Sequence, residues 1–250
     1  MKKLTAVLLL TTMLMACATV PGTGRRQFMM YSAAEEAAMG AQAFNEIKSK
    51  SKIITTGTQA AQVKRVGQNL AKHAGVNYNW EFILINASDV NAFCLPGGKV
   101  AVYAGILPIA QTDTGLAVVM GHEIAHALAR HGAERMSQNS VVNMGGQLLG
   151  IGTGNSNILS AYGAAVNLGV LLPYSRKHES EADYMGLMLM ARAGYDPREA
   201  VNFWQRMSAA SSGKTTEFLS THPSDAKRIA DIQKNLTQAM QYYIGAGGKY

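Results

Sequence analysis

The chain has 250 residues, of which 48% are hydrophobic and only 16% are charged. These values exclude a disordered chain and a long charged coiled coil, and the length suits one domain with short appendages. The formal net charge is +7, but the 23 Lys and Arg are scattered along the chain, so no nucleic acid is expected as a partner.

The first residues have the pattern of a targeting segment. Two lysines precede an apolar stretch from Leu4 to Ala16 that is too short to span a bilayer comfortably. It ends in Leu14-Met15-Ala16-Cys17, which resembles the lipobox of a bacterial lipoprotein. We therefore predict a lipoprotein signal peptide at residues 1–16 and a lipid anchor at Cys17 that attaches the protein to a membrane.

Two further predictions concern this N-terminal region. The residue after the lipobox cysteine is Ala18, which by the sorting rule for such lipoproteins indicates the outer membrane. The predicted location is thus the bacterial cell envelope, with the protein facing the periplasm. Residues 17–31 are predicted to be a lipidated N-terminus and tether, because Pro and Gly interrupt regular structure there, and residues 32–250 are expected to form the folded domain.

The folded domain is predicted to contain many helices and one small sheet. Ser32 can cap a helix over 32–49, with Glu35 completing a capping box. Strands are predicted at 80–85, 92–95 and 99–103, the last two forming a hairpin. Further helices are predicted at 58–74 and near 113–130, 132–149, 156–171, 176–193, 197–210 and 222–242. The predicted fold class is α+β and mainly helical.

The strongest chemical signal is His122-Glu123-Ile124-Ala125-His126, within a predicted helix. His122 and His126 lie on one helical face, about 6 Å apart, where two neutral imidazoles can hold one zinc ion. Glu123 is rotated by about 100° and can take a proton from a water that the zinc activates. The surrounding helix is apolar, and buried polar groups need partners such as a metal. One zinc ion per chain is therefore the predicted cofactor.

A catalytic zinc needs a third protein ligand and one open position. His131 lies nine residues after His122, about 180° around an extended helix, so it is expected to face away. The metzincin pattern fails because Gly132 stands where it requires histidine. His131 is better explained as a cation in the last turn of the helix.

The second candidate segment contains Glu179 and Asp183, which again share one helical face. Glu179 is the predicted third ligand. Asp183 is predicted to accept the free ring N–H of a ligand histidine and so to fix its tautomer. Glu181 points to another side and is expected to be a solvated charge, and His178 is out of phase and is left out of the site.

Together these motifs resemble the M48 family of zinc metallopeptidases, in its periplasmic lipoprotein and Oma1-like branch. The resemblance is carried by Asn91–Gly98, His122–His126, Glu179–Asp183, Ala193–Pro197, and Thr221-His222-Pro223 with Arg228. It implies a zincin-like peptidase domain at 32–250, with zinc bound by His122, His126 and Glu179. The implied activity is a zinc-dependent endopeptidase that hydrolyses unfolded or misassembled envelope proteins.

A second function stays open at this point. The protein can instead be an outer-membrane assembly factor or chaperone whose metal site is silenced, with the assembly machinery as its partner. Glu123 favours the endopeptidase, because a purely structural zinc site needs no base and closes its fourth position.

Two segments are ambiguous. In zincins a substrate strand pairs with an edge strand, and either Ala92–Leu95 or Lys99–Tyr103 can offer that edge, unless the hairpin only supports the core. The uncharged stretch Asn139–Pro173 is either a helical hairpin near the cleft or lipid, or ordinary buried core.

His222 is the last candidate, and it precedes Pro223, which biases it toward an extended backbone. A histidine on such a loop can stabilise the oxyanion as the peptide carbonyl is attacked, with Arg228 as a second donor candidate. It can also occupy the open position of the zinc in a resting enzyme. The alternative is a histidine that only satisfies its own loop.

Overall fold

The computed structural model describes residues 17–148, 175–211, 216–222 and 227–249. The helices in these ranges are α1 Ala33–Lys50, α2 Thr58–His73, α3 Leu107–Ala110, α4 Asp113–Leu128, α5 His131–Leu148, α6 Arg176–Arg192, α7 Glu199–Ala210, α8 Glu217–Thr221 and α9 Arg228–Gly245. The strands are β1 Cys17–Thr19, β2 Arg26–Phe28, β3 Ile53–Ile54, β4 Glu81–Ile85, β5 Ala92–Leu95 and β6 Lys99–Tyr103. The mainly helical α+β prediction is confirmed.

Most predicted helices agree with the observed ones to within two residues at each end. At α1 the capping box is present, since the Ser32 side chain and the Glu35 side chain each accept from the other's backbone N–H. The prediction of a helix from 222 was wrong: His222 is the C-cap of the short helix α8, and α9 begins at Arg228. The signal peptide predicted at 1–16, the helix predicted at 156–171 and most of the uncharged stretch 139–173 lie outside the described residues.

The main sheet has the order β3-β4-β6-β5. β4 and β6 are parallel, while the β3–β4 and β5–β6 pairs are antiparallel. The β5–β6 hairpin turns at Gly97 and Gly98, both with positive φ, as its Pro-Gly-Gly sequence predicts. β6 lies inside the sheet, so the expectation that Lys99–Tyr103 can offer a free edge was wrong, and β5 is the edge strand.

Helix α4 is the centre of the molecule and is buried from Gly115 to Ala127. It packs on β5 of the sheet, on α2 and α7, and most extensively on α6. The α4–α6 contact is close because glycines face each other across it. A Cβ atom on Gly186 would lie 2.8 Å from the backbone nitrogen of His122, and one on Gly121 would lie 3.1 Å from the carbonyl oxygen of Gly186. These glycines set the distance between the two helices.

The turn after α4 interrupts the helix. α4 ends at Leu128, Arg130 adopts a left-handed backbone with φ of 57°, and α5 begins at His131. Near the N-terminus, β1 and β2 pair as a separate antiparallel hairpin, in the stretch that we expected to be a tether. No helix in the described part of the chain combines the length and the apolarity that crossing a bilayer requires.

We expect Gly186→Ala to destabilise the protein by about 1–3 kcal/mol, because overpacking this contact forces α4 and α6 apart. Gly132→Ala is the matched control, since a Cβ there meets nothing within 4 Å. The free energy of unfolding in denaturant measures both changes. Equal stability of the Gly186→Ala protein and the wild type would show that the helices can separate without cost.

Candidate metal centre

Four side chains from three parts of the fold converge at the middle of α4. His122 and His126 come from α4, Glu179 from α6, and His222 from the end of α8, and each is at most 3% exposed. Their ligand atoms all lie within 4.8 Å of one another. The structure thus brings together the three predicted ligands and adds His222 to them.

Four of the six distances among these atoms are close to those between ligands of one zinc ion. His122 Nε2 lies 3.1 Å from His126 Nε2 and 3.3 Å from His222 Nδ1, while Glu179 Oε1 lies 3.3 Å from His126 Nε2 and 3.1 Å from His222 Nδ1. Tetrahedral zinc with bonds of about 2.0–2.1 Å separates its ligands by about 3.3 Å. Three imidazole nitrogens and a carboxylate oxygen are also donors that zinc accepts.

The electrostatics of the cluster favour a cation. Burial raises the pKa of the Glu179 carboxyl, but hydrogen bonds from His122, His126 and His222 outweigh it and hold that pKa well below its usual range. Burial lowers the pKa of His122, yet Asp183 and Glu179 raise it to about 10. The centre therefore draws positive charge into a dry site, which a divalent ion would supply.

Glu123 lies beside the cluster and does not belong to it. It is 2% exposed, and its Oε1 lies 3.5 Å from His222 Nε2 with no hydrogen-bond partner among the described residues. Burial raises the pKa of this carboxyl. A buried carboxylate oxygen without a partner, next to a cation site, is placed to accept a proton.

Asp183 lies beside the outer ring nitrogen of His122. Its Oδ1 lies 2.9 Å from His122 Nδ1, and its Oδ2 accepts a hydrogen bond of 2.7 Å from Arg228 Nε. Arg228 also donates to Glu179 Oε2 at 2.5 Å and stacks on the Trp204 ring at 3.9 Å. Arg228, considered above as an oxyanion donor, thus binds both carboxylates of α6.

The predictions for His131 and Glu181 were wrong. His131 is fully buried, with Nδ1 2.9 Å from His126 Nδ1 and Nε2 2.8 Å from Glu181 Oε2. The helical projection from His122 does not extend to His131, because the helix ends at Leu128 and Arg130 has a left-handed backbone. Glu181 is 8% exposed and binds His131 and Arg25 rather than solvent.

Arg25, His131, Glu134 and Glu181 form a buried polar layer, and His178 also belongs to it. Its Nε2 lies 3.1 Å from Glu134 Oε2, and its ring stacks on His131 with centroids 4.3 Å apart. The sequence carried a partial signal for the layer, since two histidines and two glutamates in otherwise buried helices need partners. Nothing in the sequence indicated which residue provides the balancing positive charge.

Comparison with known proteins identifies a family for this chain. The model of "Peptidase family M48" matches residues 57–236. The chain is 40% identical over 226 residues to "Mitochondrial metalloendopeptidase OMA1" of Schizosaccharomyces pombe, covering 88% of this chain and 66% of that protein. It is 41% identical over 150 residues to the protein of that name from Arabidopsis thaliana, covering 60% and 30%.

A bacterial relative is more distant. The chain is 27% identical over 232 residues to "Beta-barrel assembly-enhancing protease" of Escherichia coli K12, covering 88% of this chain and 47% of that protein. Across these three relatives the chain spans 30 to 66% of the relative's length.

These similarities contradict the predicted location in the bacterial envelope. The relatives at 36% to 41% identity are mitochondrial proteins, whereas the bacterial relative is at 27%. The prediction rested on a short apolar segment with a positively charged start and on four residues ending at Cys17. Several kinds of targeting segment share such features, so they carry less information than similarity over 226 residues.

We expect Asp183→Asn to weaken zinc binding by about ten- to a hundredfold, because the amide cannot replace the carboxylate that holds His122. Asp231→Asn on α9 is the matched control, since that carboxylate is more exposed and pairs with Lys227. Competition with a chelator of known affinity measures the dissociation constants. If both variants bind zinc as the wild type does, Asp183 does not position His122.

Proposed function

Because the chain belongs to peptidase family M48, we propose that it is a zinc-dependent endopeptidase that hydrolyses peptide bonds of unfolded or misassembled proteins. One observation carries the proposal: beside a cluster of four potential metal ligands lies the buried carboxylate of Glu123, whose Oε1 has no hydrogen-bond partner among the described residues. A structural metal site would need no such group.

In this mechanism His122, His126 and Glu179 hold the metal. A zinc ion there would activate a water as nucleophile and polarise the peptide carbonyl. Glu123 takes the proton of the attacking water and delivers it to the leaving amine. Asp183 keeps Nδ1 of His122 engaged, so that Nε2 faces the metal.

The substrate is proposed to bind as an added strand along β5. This strand ends the sheet and packs against α4, which carries the catalytic residues. Main-chain pairing requires an extended, unfolded segment and tolerates many side chains. This suits a peptidase that acts on unfolded proteins.

The second candidate, an assembly factor or chaperone with a silenced metal site, is less well supported. It leaves Glu123 without a role beside a complete ligand set. The lipid anchor at Cys17, contact with an outer-membrane assembly machinery, unfolded proteins as partners and the exclusion of nucleic acid stay predictions.

We expect Glu123→Gln to keep one zinc per chain and to lower the rate of hydrolysis by about 10²–10⁴-fold, because the ligands are intact and the proton acceptor is gone. Glu46→Gln, on the surface of α1, is the control. Zinc content and cleavage of an unfolded protein, with and without a chelator, are the measurements. Wild-type hydrolysis by the Glu123→Gln protein at full zinc occupancy would exclude Glu123 as the base.

Within this proposal, His222 would be the fourth residue to hold the metal in the resting protein. Its Nδ1 has the spacing of a fourth ligand, and its ring stacks on Phe218 with centroids 4.5 Å apart. Since water must reach the metal for hydrolysis, the His222 ring must first move aside.

We expect His222→Ala to raise the rate of hydrolysis. If the ring has moved away from the metal in a fraction f of wild-type molecules, the rate can rise by up to 1/f. Zinc should still bind through the other three ligands. A lower kcat at unchanged zinc content would instead support a role in stabilising the transition state. An unchanged rate would leave His222 with a structural role.

A further inference from the structure

Arg25 connects the N-terminal hairpin to the interior of the protein behind the metal centre. It lies between β1 and β2, yet its side chain is only 12% exposed. Its Nε donates to Glu181 Oε2 at 2.7 Å, and its Nη1 and Nη2 donate to the two oxygens of Glu134 at 2.9 and 2.7 Å. One guanidinium thus joins carboxylates from α5 and α6.

The Glu181 carboxylate is linked through His131 to the candidate metal ligand His126. Glu181 Oε2 lies 2.8 Å from His131 Nε2, and His131 Nδ1 lies 2.9 Å from His126 Nδ1. His126 Nε2 is the atom that faces the metal cluster. Arg25 is therefore three hydrogen bonds away from the ligand His126.

These three hydrogen bonds form a line, Arg25–Glu181–His131–His126. The groups at its two ends determine which atom donates and which accepts in each bond. A metal at Nε2 of His126 leaves the proton on Nδ1, which must donate to Nδ1 of His131. His131 then carries its own proton on Nε2 and donates it to the carboxylate of Glu181. Glu181 can only accept, and Arg25 can only donate to it. Each group has one possible role.

Glu134, the other carboxylate that Arg25 binds, supports this line through His178. Glu134 binds Nε2 of His178, whose ring stacks on His131 at an interplanar angle of 22°. Thr23, from the same turn as Arg25, also donates to Glu181. The turn between β1 and β2 therefore positions Glu181 directly and the His131 ring through Glu134 and His178.

We propose that Arg25 is a positioning residue of the metal centre, which holds Glu181 and, through His131, sets the tautomer and the orientation of His126. The proposal rests on the metal site of the proposed function. Without Arg25, Glu134 and Glu181 face each other across a buried space without their shared cation. Glu181 is then free to turn away from His131, and His126 loses its fixed direction.

The test compares variants of the full chain by their dissociation constants for Zn²⁺, measured by competition with a chelator. We expect Arg25→Gln to raise the dissociation constant by about ten- to a hundredfold, the range found when partners of metal-bound histidines are removed. Arg25→Lys should lie between this variant and the wild type, because one ammonium cannot reproduce the planar fork that holds both carboxylates.

Glu36→Gln is the matched control. Glu36 forms a similarly buried pair with Arg130, which ties α1 to the turn between α4 and α5. This pair also anchors N-terminal residues near the centre, but it lies outside the line from Arg25 to His126. Thermal unfolding without metal should therefore show comparable losses for Glu36→Gln and Arg25→Gln, while only Arg25→Gln should weaken zinc binding.

Cobalt provides a readout that general destabilisation would not change. In Co²⁺-loaded protein, we expect the visible absorption bands to shift for Arg25→Gln and to stay as in the wild type for Glu36→Gln. If Arg25→Gln has the zinc affinity and the cobalt bands of the wild type, Arg25 has no role in the metal centre, and the metal site itself is unaffected. An equal loss of zinc affinity in Arg25→Gln and Glu36→Gln would overturn the role of Arg25 in the same way. A wild-type protein that binds no zinc would overturn the metal site and this inference together.

Discussion

The carboxylate of Glu179, buried among three histidines, is the charge on which the centre depends. An anion in a dry interior must be matched by positive charge, because removing it from water costs far more than most single contacts return. Here the match comes from the histidines of the cluster and from Arg228, and the same cluster could hold a metal cation. The fold therefore places four potential metal ligands in one buried site.

Backbone packing makes this arrangement possible. Glu179 can reach the two histidines of α4 only because α6 crosses α4 at the Gly121–Gly186 contact, where side chains would hold the helices apart. The same crossing places Asp183, one turn after Glu179, beside the outer nitrogen of His122. Two glycines thus determine the distance between ligands on different helices.

The two ligand histidines of α4 are supported in parallel ways. His122 is held by Asp183, which is held by Arg228 near the C-terminal end of the chain. His126 is held by His131 and Glu181, which Arg25 holds near the N-terminal end. Each line ends on an arginine from a distant part of the sequence. Partners of this kind orient the ligand rings and raise their basicity toward the metal.

Local patterns in the sequence predicted most of the elements and indicated candidate metal ligands. Helical periodicity, a capping box at Ser32 and the Pro-Gly-Gly turn identified most helices and the hairpin. The i, i+4 spacings of His122 with His126 and of Glu179 with Asp183 identified two ligand faces, because such spacing has meaning within a single helix.

Tertiary structure then decided what joins those faces. His131 became a partner of His126 because the helix is interrupted at Arg130, and Arg25 reaches Glu134 and Glu181 because the N-terminal hairpin packs on α5 and α6. The Arg25 contacts join residues 109 and 156 positions apart in the sequence. The periodicity of one helix carries no information about which distant segment packs on it, so only the folded chain determines them.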